Sequence, residues 1–259
     1  MVTSCVCDQV AYVMMMRPAR SFRVRRLKAL ANISWLTNAQ LEKLAGALTL
    51  TSHRKRTTIF TDKFSPESAY ILLSGVARIT CDDRNGRRKM VILLSPGLIP
   101  AFPTAVAGIT YNFRCEAVTS CQVGTIELNN FVKICLGIDS TLFQQMSASF
   151  LGRWDRVHLR CSNLINCTLD ERLALILLDL TENFGVPNND GGMRLTVPVS
   201  HRELAELIGV TRPRVTEQLN EFTEKRLVSR QNGRLVVDHK GLEGFLMETN
   251  REGFFGELP

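Results

Sequence analysis

The chain has 259 residues, of which 45% are apolar and 22% charged, close to globular averages and unlike a disordered, collagen-like or coiled-coil chain. Its length suits one large domain or two ordinary ones. The longest apolar runs, Val10 to Met16 and Leu173 to Leu178, fall short of the roughly 18 residues a membrane span needs, so a soluble protein with no membrane partner is expected.

The net charge of +7 favours polyanionic partners and serves solubility equally well. The eight cysteines stand in a chain without the layout of a signal peptide, because the Val10 to Met16 stretch precedes its positive charges and no small-residue cleavage site follows. Reduced thiols in the cytoplasm are the expectation.

Residues 1–30 read as a basic N-terminal extension. Arg17, Arg20, Arg23, Arg25, Arg26 and Lys28 follow Met14-Met15-Met16 without an acidic neighbour. A solvated tail and a phosphate-contacting arm are the two readings, and the methionine cluster also allows a later translation start. Residues 31–138 are expected to form a β-rich sensor domain. It opens with one or two short helices over Ser34 to Leu48, where Leu36, Leu41, Leu44, Ala45 and Leu48 recur at helical spacing. Strand-like runs follow at Thr57 to Phe60, Ala69 to Leu73, Val76 to Cys81, Lys89 to Leu94 and Phe113 to Leu128, the last interrupted. Ser65-Pro66, Ser74-Gly75, Asn85-Gly86 and Ser95-Pro96-Gly97 punctuate them. Asn85-Gly86 predicts a type I′ hairpin, because both residues tolerate positive φ. Many short strands at this spacing imply a sandwich, jelly roll or barrel.

Residues 139–166 predict a long helix. Leu142, Met146, Phe150, Trp154, Val157, Cys161 and Leu164 step by three or four and lie on one stripe. The stripe fits a dimer seam; the alternative is a helix lying on the sheet. Residues 167–259 then form a second domain. Thr168-Leu169-Asp170-Glu171 is a capping box opening a nearly all-apolar, buried helix, which should stop near Phe184-Gly185-Val186-Pro187 before a loop from Asn188 to Gly192.

Ser200-His201-Arg202-Glu203 is another capping box, and Leu204, Ala205 and Ile208 form the inner face of the helix it starts. Gly209-Val210-Thr211 is a tight turn, Pro213 lies in the first turn of the next helix, and Val215, Leu219 and Phe222 are its inner stripe. This is a helix-turn-helix, whose second helix suits a major groove. Leu227 to Arg230 and Arg234 to Val237 flank Asn232-Gly233, which adds a hairpin and makes a winged helix. Arg212, Arg214 and Gln218 project from the first turns of the second helix and are residue types that read bases: Arg binds guanine O6 and N7, Gln adenine N6 and N7. Ser200, Arg202 and Thr211 sit where side chains or helix-terminal amides can hold phosphates. Two packed helices and a hairpin without a DNA role are the bland alternative.

Tyr70-Ile71-Leu72-Leu73-Ser74-Gly75-Val76-Ala77-Arg78, a long helix, and Leu204-Ala205-Glu206-Leu207-Ile208-Gly209-Val210-Thr211-Arg212 together resemble the Crp/Fnr transcription regulators, over roughly residues 35 to 245. The resemblance implies an α+β chain with an N-terminal cyclic-nucleotide-binding-like jelly roll, a dimerisation helix and a C-terminal winged helix-turn-helix. It also implies a homodimer on double-stranded DNA with a two-fold operator, re-aimed by an effector or redox event, and RNA polymerase as a candidate partner.

Members that bind cyclic AMP carry a Gly-Glu pair and an Arg-Ser pair. This chain aligns Ile99-Pro100-Ala101-Phe102 and Tyr111-Asn112 there, which removes the charged hydrogen bonds to a cyclic phosphate. Ordinary control by cyclic AMP is therefore not expected. Tyr111, Asn112, Val157 and His158 are the aligned effector-pocket candidates. Many members have Glu after the motif's Arg and a second Arg near its end, where this chain has Pro213 and Glu217; Arg212 alone matches. An altered half-site is expected, with Arg214, Glu217 or Gln218 adding contacts and Glu217 suited to cytosine N4.

Iron–sulfur members of the family use a tight N-terminal cysteine group. Here only Cys5 and Cys7 lie near the N-terminus, and a cluster would have to recruit Cys81, Cys115, Cys121 or Cys135. Neither a cluster nor haem on His158 is expected, and most of the thiols read as core packing. No G-x-S-x-G, H-E-x-x-H, P-loop or dinucleotide fingerprint occurs, so an enzyme is not expected. A sensing module whose winged helix mainly contacts protein is the rival reading.

Overall fold

The computed structural model describes residues 20–30, 33, 36–61, 68–99, 113–136, 161–189 and 191–249. The chain divides into two compact units, Met1–Arg153 and Trp154–Pro259.

Among the described residues of the first unit eight strands form two antiparallel sheets: β1 (Thr49–His53), β2 (Thr58–Thr61), β3 (Ser68–Ser74), β4 (Ala77–Asp82), β5 (Arg88–Leu94), β6 (Gly97–Leu98), β7 (Phe113–Ala117) and β8 (Cys121–Glu127). The orders are β1-β8-β3-β6 and β2-β7-β4-β5. Pairing is nested, with β1 on β8, β2 on β7, β3 on β6 and β4 on β5, which is the wiring of a jelly roll. Side chains alternate along β3. Leu72 points with Val123, Cys121, Ile79, Cys115 and Ala117 into the core between the sheets. Ala69, Ile71 and Leu73 point the other way, into a second core under the helices. A strand buried on both faces needs a near-continuous apolar run, and Tyr70-Ile71-Leu72-Leu73 supplies it.

Those helices are α1 (Arg20–Lys28), α2 (Asn38–Ala47) and α3 (Leu128–Leu136). The sequence reading of residues 1–30 as an extension is corrected from residue 20 onward. Leu27 and Leu30 are buried in the core beside Leu41, Leu44 and Phe131, and Arg23 donates to the carbonyls of Ala45 and Leu48 at 3.1 and 3.2 Å, closing the end of α2. The run of cations hid an apolar stripe of only a few residues. Residues 1–19 lie outside the described residues. Three further elements of the first unit were not anticipated. Strand β1 and helix α3 are two, and Gly97–Leu98, read as punctuation, is the third: it pairs with Ile71 and Leu72.

The Asn85-Gly86 turn is also corrected. Only Gly86 has positive φ, at 71°, and the hairpin closes over three residues between Asp83 and Arg87. The Asp83 carboxylate accepts from the backbone N–H of Asn85 and of Arg87, both at 2.9 Å. This local side-chain anchor selects a type I turn with a left-handed glycine over the mirror-image turn.

The second unit holds α4 (Leu169–Phe184), β9 (Gly185–Pro187), β10 (Met193–Leu195), α5 (His201–Ile208), α6 (Arg212–Glu224), β11 (Val228–Gln231), β12 (Arg234–Val237) and α7 (His239–Thr249). Glu171 accepts from the Thr168 N–H at 2.8 Å, as the capping box predicts, and Leu173, Ala174, Leu177 and Leu180 of α4 are buried. The predicted two-stranded wing belongs to a four-stranded antiparallel sheet, order β11-β12-β10-β9. The extra hairpin turns through Asn188 and Gly192. A Cβ on Gly192 would stand 2.7 Å from the Val237 carbonyl oxygen, so only glycine lets β12 approach there. No helix among the described residues is long and apolar enough to cross a membrane.

Candidate nucleic-acid interface

Helix α5 begins as its sequence dictates. Ser200 is the N-cap, Glu203 accepts from its N–H at 2.8 Å, and the Ser200 hydroxyl accepts from the Glu203 N–H at 3.2 Å. Leu204, Ala205, Leu207 and Ile208 face inward. Gly209 ends the helix at φ 71°, the left-handed position that favours glycine. Thr211 is the N-cap of α6, Pro213 lies in its first turn, and Val215, Leu219 and Phe222 are buried. The inward stripe is as the spacing predicts, which leaves Thr211, Arg212, Pro213, Arg214 and Glu217 exposed.

Several of the predicted contact residues are already engaged. Arg202 donates to Glu206 at 3.0 Å, Arg214 stands 3.8 Å from Glu217, and Gln218 donates to Glu221 at 3.0 Å. These exposed pairs are worth little and exchange readily for other partners. Arg212 has no carboxylate partner among the described residues.

Three residues that sequence reasoning missed complete this face. Arg230 of β11 donates from its guanidinium to Nε2 of His201 at 2.6 Å. Nε2 is thereby the acceptor, so the ring proton sits on Nδ1 and donates to Oγ1 of Thr216 at 2.8 Å. The Thr216 hydroxyl donates in turn to the Arg212 carbonyl at 3.1 Å. One chain of hydrogen bonds thus joins the wing, the first helix and the first turn of the second helix. Burial, and then the charges of Arg230 and Arg212, hold His201 below the ordinary histidine range. Nothing in the sequence pairs residues 201 and 230; a histidine between a cap and an arginine was the only local signal.

Tyr111, Asn112, Val157 and His158, and Leu142, Met146, Phe150 and Trp154 of the expected seam, lie outside the described residues. At the end of that stripe, Cys161 and Leu164 are exposed in the single chain, as is Ile165 at 83%. Cys5 and Cys7 also lie outside. Among the described residues no three His, Cys, Asp or Glu side chains gather as metal ligands. Burial pushes the Cys135 thiol up to about 12 and that of Cys115 higher still, and both pack in the hydrophobic cores of the first unit.

Residues 50–137 match the cyclic nucleotide-binding domain and residues 171–245 the Crp-like helix-turn-helix domain. The chain is 27% identical to the nitrogen fixation regulation protein FixK of Azorhizobium caulinodans over 183 residues, 71% of this chain and 72% of that one. It is 26% identical to the global nitrogen regulator of Nostoc sp. over 215 residues, 82% and 93% of the two chains. The structure of FixK2 from Bradyrhizobium japonicum aligns with a TM-score of 0.64 at 19% identity, covering 76% of this chain and 96% of that one. A jelly roll of the cyclic-nucleotide-binding type followed by a winged helix-turn-helix defines a class of DNA-binding transcription regulator. The chain belongs to the Crp/Fnr family of that class.

Proposed function

We propose that this regulator is a homodimer that reads a two-fold operator with α6 in the major groove, and that Arg212 is its principal base reader. The supporting observation is that Arg212 lies in the first turn, exposed and without a carboxylate partner among the described residues, whereas its neighbour Arg214 stands by Glu217. A bidentate Arg on guanine contributes about 1–3 kcal/mol of discrimination. Arg214, Pro213, Glu217 and Gln218 shape the rest of the reading surface; Ser200, Arg202 and Thr211 lie at helix starts that can hold phosphates.

The seam of the dimer runs through Leu142, Met146, Phe150, Trp154, Val157, Cys161 and Leu164. An effector other than ordinary cyclic AMP, bound near Tyr111, Asn112, Val157 and His158, or a dimer active without one, accounts for the missing Arg and carboxylate of the nucleotide grip. The protein acts in the cytoplasm, with RNA polymerase as the candidate partner on DNA, and carries no catalytic activity of its own.

The test is selection from randomised duplex DNA with the wild type and Arg212→Ala, followed by a salt series. Recovery of a palindromic site, relaxed at one base pair in the variant and bound less tightly as salt rises, supports the reading. Sequence-blind binding unaltered by the substitution would overturn it and direct attention to a protein partner for the winged helix.

A further inference from the structure

The junction of wing and helix-turn-helix carries an arrangement that the base-reading face does not use. Arg230 of β11 and His201 of α5 meet there at 2.6 Å, and the charge of Arg212 on α6 acts on the same imidazole. Arg230 and Arg212 are the charged groups that act on His201. On α5 itself Arg202 is paired with Glu206, and Glu203 is held by the Ser200 N–H. No carboxylate among the described residues pairs with Arg230 or Arg212. An arginine without a carboxylate partner is therefore held against a neutral imidazole that accepts its hydrogen bond.

We propose that Arg230 and His201 form a seat for one phosphate of the DNA backbone, and that filling it is coupled to uptake of a solvent proton by Nε2 of His201. The inference rests on the DNA-binding reading above and adds to it a proton-linked contact. In the free protein a proton on Nε2 would turn an acceptor into a donor facing the Arg230 guanidinium and set two cations in contact. A phosphodiester reverses both terms: its two non-bridging oxygens accept from Arg230 and from Nε2–H, and its charge stabilises the imidazolium. The Nδ1–H bond to Thr216 survives the change, so the ring stays fixed to α6 in both states. Since the DNA-bound state holds the proton more tightly than the free state, affinity must rise as pH falls between the two values.

The test uses the full chain and a mixed-sequence duplex of about 30 base pairs, because phosphate contacts do not need the operator. Association constants are measured at constant ionic strength from about pH 7.5 to about pH 5.5 for the wild type, His201→Gln and His239→Gln. Wild type and His239→Gln should bind more tightly as pH falls, by up to about tenfold per unit per seat, and the rise should flatten in His201→Gln. The readout is the pH slope, not the affinity at one pH. Arg230→Gln should lower the slope of log K against log salt by about 0.9. A His201→Gln slope equal to the wild type, or wild-type binding that weakens in acid, would overturn the proposal. No binding by the wild type at any pH would instead overturn the DNA-binding reading itself, so the two failures are distinguishable.

Discussion

The guanidinium of Arg172 in α4 donates to the carbonyl of Ile208, the last residue of α5, at 3.1 Å. The last carbonyls of a helix have no partner inside it, and here a cation from a neighbouring helix fills one of those vacancies while complementing the negative helix end. The bond fixes the end of α5 next to the Gly209 turn and so sets where α6 begins. Arg172→Met keeps the aliphatic stem and removes the donor. It should destabilise the second unit by about 1 kcal/mol, read as a lower urea midpoint with unchanged slope.

Helix α6 ends with Arg226 at φ 58°. The Leu227 N–H donates to the Phe222 carbonyl at 2.8 Å and the Arg226 N–H to the Thr223 carbonyl at 3.0 Å, the paired bonds of a Schellman end. A side chain in this left-handed conformation costs about 1–2 kcal/mol, and Arg226 is exposed. Arg226→Gly should therefore raise stability, by about 0.5–1 kcal/mol once the greater freedom of unfolded glycine is subtracted. Thermal unfolding with an increased midpoint is the expected outcome.

Glu116 of β7 lies between Arg78 of β4 and Arg88 of β5, with contacts of 2.9 Å and 2.6 Å, and its side chain is only 7% exposed. The arginines are wetter, which limits the loss when the acid is removed. Glu116→Gln leaves two guanidiniums around one neutral amide. It should cost the jelly roll about 2 kcal/mol, and urea unfolding of the variant against the wild type measures it.

His53 is held below the ordinary histidine range by burial, opposed by a backbone bond at Thr58, and His201 by burial and two arginines. Their folded values lie below the unfolded value of about 6.5. In that window the unfolded chain binds more protons, so stability falls as pH drops from 6.5 toward the folded values and is insensitive to these groups above it. Urea midpoints for the DNA-free protein should decline on acidification, and His201→Gln should remove part of the decline.

The same dipeptide shows how far the sequence can be read. Asn232-Gly233 adopts positive φ at both residues, 51° and 73°, with Gln231 paired to Arg234, the two-residue turn expected of it. Asn85-Gly86 does not, because Asp83 two residues earlier supplies a competing acceptor. The missed strands β6, β9 and β10 have two or three residues each, too few to show a period of two. Helix α3 was hidden for another reason: it follows β8 without a break, and its first residue, Leu128, read as the end of the strand.

Within the candidate interface, everything local was legible. The capping boxes, the glycine turn and the inward stripe of Val215, Leu219 and Phe222 follow from short-range hydrogen bonding and helical periodicity, and they determine which residues α6 exposes. That logic extends no further than a few turns of chain. Tertiary structure alone decided that α1 packs on the body through Leu27, because its few apolar residues acquire meaning only against α2. It alone decided that Arg230 reaches His201, because the two lie 29 residues apart and meet only once the wing folds back beside α5. Periodicity assigns a side chain to a face, but what shares that face is set by how separate elements pack.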